Sequence, residues 1–526
     1  MARPDTNPQD PTLFGGLLAA RRMHGADKII LEDADGQQLS YGRLILASLV
    51  LGRRLASDTR HGETVGVLLP NVAGLAITLF GLNAYGRIAA ILNFTAGPRN
   101  LTSAVGTALI RTVITSRRFV EAAKLEPVIE ALGQVKVRDG APVRILYLED
   151  VRAGIGIIDK LAGLASSRFA SWFHDRQRVS PSRAAVVLFT SGSEGAPKGV
   201  VLTNANLTAN ARQIYAHADG ALSPVDIVFN PLPMFHAFGL TAATLMPLLH
   251  GLKVVLYPNP LQYRQVVRKI EETRPSVLMA TDTFLLGYAR AAEPGELNST
   301  RLVVAGAEPV KAETRRRWAA FGTEILEGYG ATEASPVIAY NIPKSNRPGS
   351  VGRALPEMET ELVPVPGLAE GGRLRVRGPN VMAGYLTAAN PGVVVPPPGG
   401  WHDTGDIVSI DDGFITLKGR ARRFAKICGE MVSLAAIETL AQELWPDARH
   451  VVLSVPDAKK GEQLLLMTET RDGTTAELRE RARSQGFPDL WVPKSILVVP
   501  EIPVLATGKV DVPAATTIAQ EWRGAS

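Results

Sequence analysis

Uninterrupted apolar runs alternate with segments of helical spacing along the chain before about Thr360. Such a run is typical of a strand with both sheet faces covered, as in parallel sheets. The segments between the runs include "NLTANARQIYAHA" and "QVVRKIEET". The alternation predicts an α/β fold of stacked, mostly parallel sheets, with ligands beyond the carboxyl ends of the strands. The runs are "TVGVLLP" (Thr64 to Pro70), "AAVVLFT" (Ala184 to Thr190), "LKVVLY" (Leu252 to Tyr257), "SVLMA" (Ser276 to Ala280), "RLVVAGA" (Arg301 to Ala307) and "TEILEGYG" (Thr323 to Gly330).

The composition changes after about Thr360, where Gly- and Pro-rich strand-and-turn sequence such as "PGVVVPPPGG" replaces the alternation. This stretch predicts a β-rich subdomain. A small α+β segment follows Gly419. We therefore predict a large N-terminal domain over residues 1–419 and a small, mobile C-terminal domain over residues 420–526.

The charge balance is mildly basic, with 57 Lys+Arg against 51 Asp+Glu and a formal charge of +6. Such an excess suits anionic substrates, acidic protein partners or peripheral association with a membrane surface. The basic clusters are not interleaved with base-stacking aromatics, which make up only 6% of the chain. Nucleic acid is therefore not expected as a partner.

The expected compartment is the cytoplasm, including the inner face of the membrane. Cys428 is the only cysteine, which excludes an intramolecular disulfide and a thiolate zinc cluster, and we interpret it as a packing residue. The N-terminus lacks the apolar core of a secretory signal. The longest apolar run, Phe238 to Tyr257, is interrupted by Pro247 and Gly251 and is interpreted as buried core.

The stretch "LFTSGSEGAPKGV", from Leu188 to Val200, has the composition of a phosphate-binding loop. In the P-loop of nucleotide triphosphatases, glycine precedes the lysine and Ser or Thr follows it, whereas Lys198 stands between Pro197 and Gly199. The loop therefore binds phosphate by another geometry. It still offers hydroxyls, turn glycines and a cation, namely Thr190, Ser191, Ser193, Gly192, Gly195, Gly199 and Lys198.

Two further glycine-containing loops also open at strand ends. "AGAEP" follows the run "RLVV", and "EGYGATEASP" follows "EIL". Together with the phosphate loop they are expected to converge on one nucleotide. The Thr-Gly-Asp turn in "GGWHDTGDIV" places Asp406 where a carboxylate accepts hydrogen bonds from the two ribose hydroxyls.

At these residues the sequence resembles the adenylate-forming superfamily, which includes acyl-CoA synthetases, firefly luciferase and the adenylation domains of peptide synthetases. Five motifs occur in the superfamily's order over the whole chain. They are the phosphate loop from Thr190 to Gly199, Tyr329-Gly330-x-Thr332-Glu333, Thr404 to Asp406, the hinge arginine Arg420, and the C-terminal pair Gly508 and Lys509.

The resemblance implies ATP and Mg²⁺ as cofactors and a role for each motif residue. Thr190, Ser191, Ser193 and Lys198, with Gly192 and Gly195, would hold the β- and γ-phosphates. Glu333 would bind Mg²⁺, and Thr332 would contact the α-phosphate. Tyr329 would stack near adenine, beside Gly330 and the loop of Gly306, Ala307 and Glu308. Asp406 and Arg420 would fix the ribose, and Lys509 would bridge the substrate carboxylate and ATP oxygens. The catalytic residues are then Thr190, Lys198, Glu333 and Lys509.

Longer stretches, including "PLPMFHAFGLT" and "GRARRFAKICGEMVS", resemble the synthetase part of the bacterial bifunctional 2-acylglycerophosphoethanolamine acyltransferase/acyl-[acyl-carrier-protein] synthetase. This narrower resemblance implies a fatty acid as substrate and a phosphopantetheine thiol, on acyl carrier protein or CoA, as acceptor. An adenylating enzyme for an aryl or short-chain acid is the second hypothesis. A non-catalytic nucleotide-binding paralogue is the third, and the joint presence of Lys198, Glu333, Asp406 and Lys509 argues against it.

The predicted substrate pocket comprises His236, Phe238, Gly239 and Thr283. Without the resemblance, His236 is also consistent with a core histidine. Thr283 is equally consistent with a residue that packs the start of a helix. Lys198 alone would indicate a surface lysine, and Glu333 alone a local turn cap.

The hinge region differs from the broad superfamily pattern, because Arg422 and Arg423 replace the common Asp-Asp pair. Together with Lys426 they form a basic cluster that either serves the hinge, binds CoA phosphates or attracts an acidic carrier protein.

Overall fold

The structure is a computed structural model that describes residues 11–137, 140–190, 197–365, 368, 370–420, 423–427, 430–457, 461–485, 487–504 and 510–524. The chain divides into two compact units. The first comprises Met1–Glu359 and Val376–His402, and the second comprises Thr360–Arg375 and Asp403–Ser526. The domain boundary after Gly419 remains a prediction.

The described α-helices lie mainly between strands of the first unit. Their bounds are α1 Leu13–His24, α2 Tyr41–Asp58, α3 Ala73–Ala84, α4 Gly97–Thr107, α5 Arg117–Ala122, α6 Glu126–Gly133, α7 Leu148–Ala153, α8 Ile157–Arg168, α9 Ala170–Arg176, α10 Asn204–His217, α11 Met246–His250, α12 Tyr263–Thr273, α13 Asp282–Ala291, α14 Ala312–Ala319, α15 Leu434–Leu444, α16 Thr475–Ser484 and α17 Val512–Gly524.

The described strands are short. Their bounds are β1 Ile29–Glu32, β2 Gln38–Ser40, β3 Thr64–Val67, β4 Ile88–Ile91, β5 Thr112–Thr115, β6 Arg144–Tyr147, β7 Ala184–Thr190, β8 Lys198–Thr203, β9 Ile227–Asn230, β10 Lys253–Leu256, β11 Val277–Ala280, β12 Leu302–Ala305, β13 Ile325–Gly330, β14 Val337–Tyr340, β15 Arg353–Ala354, β16 Glu359–Val363, β17 Gly372–Arg377, β18 Gly384–Thr387, β19 Asn390–Val395, β20 His402–Asp411, β21 Phe414–Arg420, β22 Phe424–Ile427, β23 Glu430–Ser433, β24 His450–Asp457, β25 Gly461–Thr468 and β26 Ser495–Val498.

Two sheets form the framework of the first unit. One has the strand order β15-β14-β13-β12-β11-β9-β10-β1-β2, and its neighbours from β13 to β1 are all parallel. The other has the order β19-β18-β8-β7-β4-β3-β5-β6 and is parallel from β7 to β6. The six predicted apolar runs form β3, β7, β10, β11, β12 and β13, which confirms the predicted α/β class.

Helices cover the sheets because the strands are apolar on both faces. All four residues of β5 and of β11 are buried. The predicted helical segments form α10 and α12, which the 3.6-residue spacing of their apolar positions explains. The parallel strands of both sheets therefore direct their carboxyl ends towards polar loops, where a ligand site is expected.

The run from Phe238 to Tyr257 forms a π-helix over Phe238–Leu245, then α11 and β10. Gly251 ends the helical part with a φ of 85°, a left-handed conformation that favours glycine. The interpretation of this run as buried core is confirmed. Among the described helices, none is both long enough and apolar enough to cross a membrane.

The second unit contains a sheet in the order β23-β22-β25-β24, with β26 parallel to β25. The helices α15 and α16 pack together in this unit. Strands β20 and β21 form an antiparallel pair in which Asp406 lies opposite Arg420.

Candidate active site

The predicted phosphate loop joins two antiparallel strands of the second sheet. Thr190 ends β7, Lys198 begins β8, and the two residues are paired across the ladder. The strand pairing therefore fixes both ends of the loop at one place and puts Lys198 at its base. Four other predicted phosphate ligands lie outside the described residues: Ser191, Gly192, Ser193 and Gly195.

Tyr385 links Lys198 to the predicted magnesium ligand Glu333. Its hydroxyl donates a 2.6 Å hydrogen bond to Glu333 Oε1, and Lys198 Nζ lies 5.6 Å from the centre of its ring. Burial and the Glu333 carboxylate both raise the pKa of Tyr385, so the phenol stays protonated and remains a donor. A cation, a phenol and a carboxylate are thus held together at the end of the phosphate loop.

Strand pairing positions Tyr385 at this point. Strand β18 runs antiparallel to β8, with Tyr385 opposite Val200 and the next residue, Leu386, opposite Gly199. Glu333 lies in a 3₁₀ turn, Thr332–Ala334, directly after β13 of the other sheet. The hydrogen bond from Tyr385 to Glu333 therefore joins the two sheets of the first unit where both present loops.

The turn that carries Glu333 requires glycine at its start. A Cβ atom on Gly330 would lie 2.2 Å from the carbonyl oxygen of Pro336, closer than any side chain permits. Two buried asparagines hold the other side of the turn. Asn380 Nδ2 donates to the Ala334 carbonyl at 2.7 Å, and Asn210 Nδ2 donates to the Val337 carbonyl at 2.9 Å.

The predicted adenine loop follows β12 and is held by Thr283. Ala307 has a φ of 70°, which turns the chain sharply after Gly306. Glu308 Oε2 then accepts hydrogen bonds from the backbone nitrogen of Thr283 at 3.1 Å and from its hydroxyl at 2.8 Å. Thr283 therefore positions the loop, from the start of α13.

The other carboxylate oxygen of Glu308 is buried and has no hydrogen-bond partner among the described residues. A buried carboxylate oxygen normally accepts at least one hydrogen bond. The adenine-binding role of this loop remains a prediction.

Two further carboxylates fix the residues that follow Glu308. Glu327 Oε2 accepts a 3.2 Å hydrogen bond from the Val310 backbone nitrogen, and Asp282 Oδ1 accepts a 3.0 Å hydrogen bond from that of Lys311. Because Glu327 lies on β13, two residues before Tyr329, the adenine loop and the end of β13 keep a fixed spacing.

An apolar cavity of about 100 Å³ adjoins these loops. Gly306, Ala307, Tyr329 and Gly330 contribute to its lining, and its described lining contains no charged side chain. Polar groups in its wall are satisfied internally, since Tyr340 donates its hydroxyl hydrogen to the Ile214 carbonyl at 2.6 Å. Other lining residues are Ile214, Ala218, Phe238, Ala242, Met279 and Leu302.

The four predicted pocket residues occupy different places. Phe238 lines the cavity, and its ring packs against Gly306, where a Cβ would lie 3.1 Å from Cε1. His236 packs beside Phe235 with ring centroids 4.7 Å apart, and Gly239 passes so close to the Pro233 carbonyl that a Cβ would lie 2.5 Å from it. His236, Gly239 and Thr283 are not among the residues that line the cavity.

In the second unit, the Thr-Gly-Asp turn is held by its own hydrogen bonds. The Thr404 hydroxyl donates to the Leu374 carbonyl at 2.9 Å and accepts from the Asp406 backbone nitrogen at 3.1 Å. Asp406 is buried, and its cross-strand neighbour is Arg420, whose side chain lies outside the described atoms. The backbone therefore puts the two predicted ribose ligands at adjacent positions.

The remaining predicted residues of the second unit are only partly described. Lys509 lies outside the described residues, in a segment bounded by a backbone bridge between Val504 and Val510. Cys428 and Arg422 are also outside them. Arg423 is described: it pairs with Glu438 and donates a 3.0 Å hydrogen bond to the Val452 carbonyl.

Residues 18–386, more than half of the chain, match the AMP-binding enzyme family. The chain belongs to this family. The predicted membership of the adenylate-forming superfamily is thereby confirmed. The candidate nucleotide loops at Thr190, Gly306 and Tyr329 of this AMP-binding enzyme all fall within the matched residues.

Curated relatives of this AMP-binding enzyme include ligases for chemically different acids. The long-chain-fatty-acid–CoA ligase of Bacillus subtilis (strain 168) is 27% identical over 505 residues, which cover 90% of this chain and 89% of the relative. The sulfoacetate–CoA ligase of Cupriavidus necator is 28% identical over 528 residues, covering 96% and 97%. The chain is thus a homologue of acid–CoA ligases.

The fold also matches that of solved structures. ATP-bound MatB from Rhodopseudomonas palustris superposes with a TM-score of 0.78 at 23% identity, over 96% of this chain and 98% of that protein. This likeness supports the predicted fold of the AMP-binding enzyme.

Sequence reasoning did not find Tyr385, Asn210 or Asn380. Tyr385 is 52 positions from its partner Glu333 and lies in a short segment without a recognisable motif. Asn210 is 127 positions from Val337. Sequence spacing alone carries no signal for such contacts, because they depend on how two sheets pack.

We expect Tyr385→Phe to weaken magnesium-dependent turnover, because Glu333 loses the donor that orients it. A hydrogen bond to a charged group corresponds to about a tenfold to hundredfold effect on turnover. Initial rates across a Mg²⁺ series would measure the loss, and circular dichroism would check that melting is nearly unchanged. Tyr147→Phe is the matched control, since Tyr147 lies beneath Arg117 on another strand of the same sheet. An unchanged magnesium dependence in Tyr385→Phe would contradict this role.

Proposed function

We propose that this protein is an ATP-dependent acid–thiol ligase that activates a fatty acid as acyl-adenylate and transfers the acyl group to a phosphopantetheine thiol. The observation that carries the proposal is the apolar cavity, whose lining includes residues of both loops that follow β12 and β13. An apolar tail in the cavity would leave a carboxylate close to the nucleotide loops.

The cavity supports an apolar acid over a charged one. Relatives accept acids as different as long-chain fatty acids and sulfoacetate, so kinship alone does not choose between them. A sulfonate would require a cation or several donors, because a buried charge without partners is unfavourable. The described lining offers aliphatic and aromatic side chains instead, which favours an alkyl chain.

The first half-reaction joins the acid to ATP. A carboxylate oxygen attacks the α-phosphorus, the bond from that phosphorus to the bridging oxygen breaks, and pyrophosphate leaves. In the proposal, Thr190 and Lys198 hold the outer phosphates and Thr332 contacts the α-phosphate. Lys509 neutralises charge between the carboxylate and ATP. Such transfers depend mainly on positioning and electrostatic stabilisation.

Glu333 is the residue proposed to hold Mg²⁺. The described residues contain no cluster of three or more His, Cys, Asp or Glu side chains suited to a metal. One carboxylate is nevertheless a sufficient protein ligand, because Mg²⁺ at nucleotide sites is commonly bound by one or two carboxylates, phosphate oxygens and water. When bound, the ion would withdraw charge from the phosphate oxygens, while Tyr385 keeps Glu333 oriented.

In the second half-reaction the acceptor thiolate attacks the acyl carbon and AMP leaves. The names of the relatives favour CoA as the acceptor. The longer sequence stretches favour acyl carrier protein as a second candidate. Arg423, one of the cations considered for a carrier protein, is already paired with Glu438. We therefore propose CoA as the main acceptor.

The proposed place of action is the cytoplasm, at the inner face of the membrane. Fatty acids with long alkyl chains partition into lipid, so an enzyme that adsorbs there meets a higher substrate concentration.

We expect Lys509→Ala to abolish acid-dependent exchange of pyrophosphate into ATP but to leave transfer from supplied acyl-adenylate to CoA within about threefold of the parent. The reason is that a lysine on a mobile domain is needed only while the carboxylate meets ATP. Isotope exchange and thioester formation would be measured separately, with Lys494→Ala as a control in the same unit. Cleavage of ATP to ADP by the parent would refute the proposed function, and equal loss of both half-reactions would refute the division of roles.

We expect Ala218→Leu to shift the preferred acid to a chain about three carbons shorter. Leucine fills cavity space, and each methylene group that is no longer buried costs about 0.8 kcal/mol of binding free energy. AMP release over a series of straight-chain acids would measure the shift. Ala216→Leu is the control, because Ala216 is exposed in the last turn of α10, two residues before Ala218. The same chain-length profile in both variants would contradict the assignment of the cavity.

We expect transfer to CoA to be at least about tenfold faster than transfer to holo-acyl carrier protein, and any carrier-protein rate to fall with salt, as steered encounters do. Rates would be measured across a salt series for the parent, Arg422→Ala and the exposed control Arg479→Ala. A faster, salt-sensitive carrier-protein reaction that Arg422→Ala slows would instead make the protein an acyl-[acyl-carrier-protein] synthetase.

A further inference from the structure

Helix α8 exposes its large apolar side chains. Ile157 is 75% exposed, Leu161 63% and Leu164 59%. These positions recur at helical spacing and so share one face. A helix at the surface of a globular domain normally turns such a face towards the core. Helix α8 turns it towards solvent instead.

The opposite face of α8 is fixed to the domain by small and polar residues. Gly163 is buried, and a Cβ there would lie 2.2 Å from Val50 Cγ2 on α2. Asp159 pairs with Arg53 of α2 at 3.3 Å and also caps its own helix by accepting from the Gly156 nitrogen. Close packing at Gly163 prevents the helix from rotating to bury its leucines.

Helix α9 continues the apolar surface. Phe169 is 65% and Trp172 58% exposed, whereas Ala170 and His174 are buried. His174 is held by Thr12, whose hydroxyl lies 2.5 Å from Nε2. We call the six exposed side chains together the α8–α9 surface: Ile157, Ile158, Leu161, Leu164, Phe169 and Trp172.

Cations border the α8–α9 surface. The guanidinium of Arg176 lies 3.8 Å from the ring centroid of Trp172. From α1, Arg21 donates to the Ser167 carbonyl at 3.2 Å and Arg22 to Ser171 Oγ at 3.4 Å. Lys160 and Arg168 are exposed on α8 itself.

The acids of this region do not balance these cations. Asp159 is paired with Arg53, and Asp175 is the other acid between residues 151 and 178, against Arg152, Lys160, Arg168, Arg176 and Arg178.

We propose that the α8–α9 surface docks the protein on an anionic lipid bilayer. Large aliphatic and aromatic side chains on one side and Lys/Arg around them are the features of helices that lie in the membrane interface. Trp172 suits the headgroup level, where an aromatic ring is partly apolar and partly hydrated. The cations would contact anionic headgroups while the leucines enter the acyl region.

The charge pattern favours lipid over a second copy of the chain. Two copies that met through the same face would bring like charges together, which is unfavourable. The centre of the surface also consists of side chains without hydrogen-bonding groups, apart from the indole of Trp172, whereas protein interfaces carry about one hydrogen bond per 100–200 Å². A bilayer interior needs none.

The proposal goes beyond the ligase reaction and does not depend on it, because adsorption to lipid requires neither ATP nor an acid. The test therefore uses the full chain with no substrate. Co-sedimentation would be measured with phosphatidylcholine vesicles in which about one lipid in three is phosphatidylglycerol, and with pure phosphatidylcholine vesicles.

We expect the parent to bind the anionic vesicles, with binding weakened by salt and in pure phosphatidylcholine. The double variant Leu161→Glu/Leu164→Glu should bind about a hundredfold less, since two apolar side chains no longer enter lipid. Val225→Glu/Leu261→Glu is the matched control, because both residues are exposed and apolar elsewhere in the same unit. It should bind like the parent. Brominated phospholipids should quench tryptophan fluorescence in the parent and much less in Trp172→Phe.

Several results would overturn the docking proposal. One is that the parent does not bind the anionic vesicles, and another is that the two double variants lose vesicle binding equally. A third is concentration-dependent self-association in sedimentation velocity that only Leu161→Glu/Leu164→Glu abolishes. Pyrophosphate exchange with the series of straight-chain acids used above, measured in parallel without vesicles, separates the two hypotheses. Vesicle binding without pyrophosphate exchange would refute the ligase and leave the docking proposal intact. Pyrophosphate exchange without vesicle binding would refute the docking proposal and leave the ligase intact.

Discussion

The hydrogen bond from Tyr385 to Glu333 joins the two sheets of the first unit at the place where their loops meet. Strand β18 brings the phenol next to Lys198 by pairing with β8, while the carboxylate comes from the turn after β13. Burial and the neighbouring carboxylate keep Tyr385 protonated by raising its pKa. The position of the phosphate loop relative to the proposed magnesium ligand therefore depends on this contact, together with the 2.8 Å hydrogen bond from the Met382 backbone nitrogen to the Glu333 carbonyl and the bond from Asn380 to Ala334.

Around that contact, the loops are held by buried amides and carboxylates. Asn210 and Asn380 fix the turn after Tyr329, and Glu308 fixes the neighbouring loop through Thr283. Rigid loops suit a reaction in which charge develops on phosphate oxygens, because donors already in place need no reorganisation during the reaction. The other oxygen of Glu308 is buried and has no hydrogen-bond partner among the described residues.

Our two proposals assign opposite purposes to apolar surface in this enzyme. In the cavity beside Tyr329 it is turned inwards, where we propose that the tail of an acid binds. On α8 it is turned outwards, because close packing at Gly163 fixes the orientation of the helix. A ligase that binds an apolar acid would benefit from both the cavity and the exposed face of α8, because the acid is concentrated in the membrane to which that face would adsorb.

The sequence by itself determined the α/β class, the strands that carry the loops, and the family. Apolar periodicity and loop motifs are local, so residues near one another in the chain suffice to reveal them. Tertiary structure alone decided that Tyr385 orients Glu333, that Thr283 supports Glu308 and does not line the cavity, and that Arg423 is occupied by Glu438. It also decided which face of α8 is exposed. The sequence of this helix, "IIDKLAGLASSR", is that of an ordinary amphipathic helix and does not show that its apolar face meets solvent. These outcomes arise from packing between segments distant in the chain, and local sequence does not encode which distant side chain fills a given space.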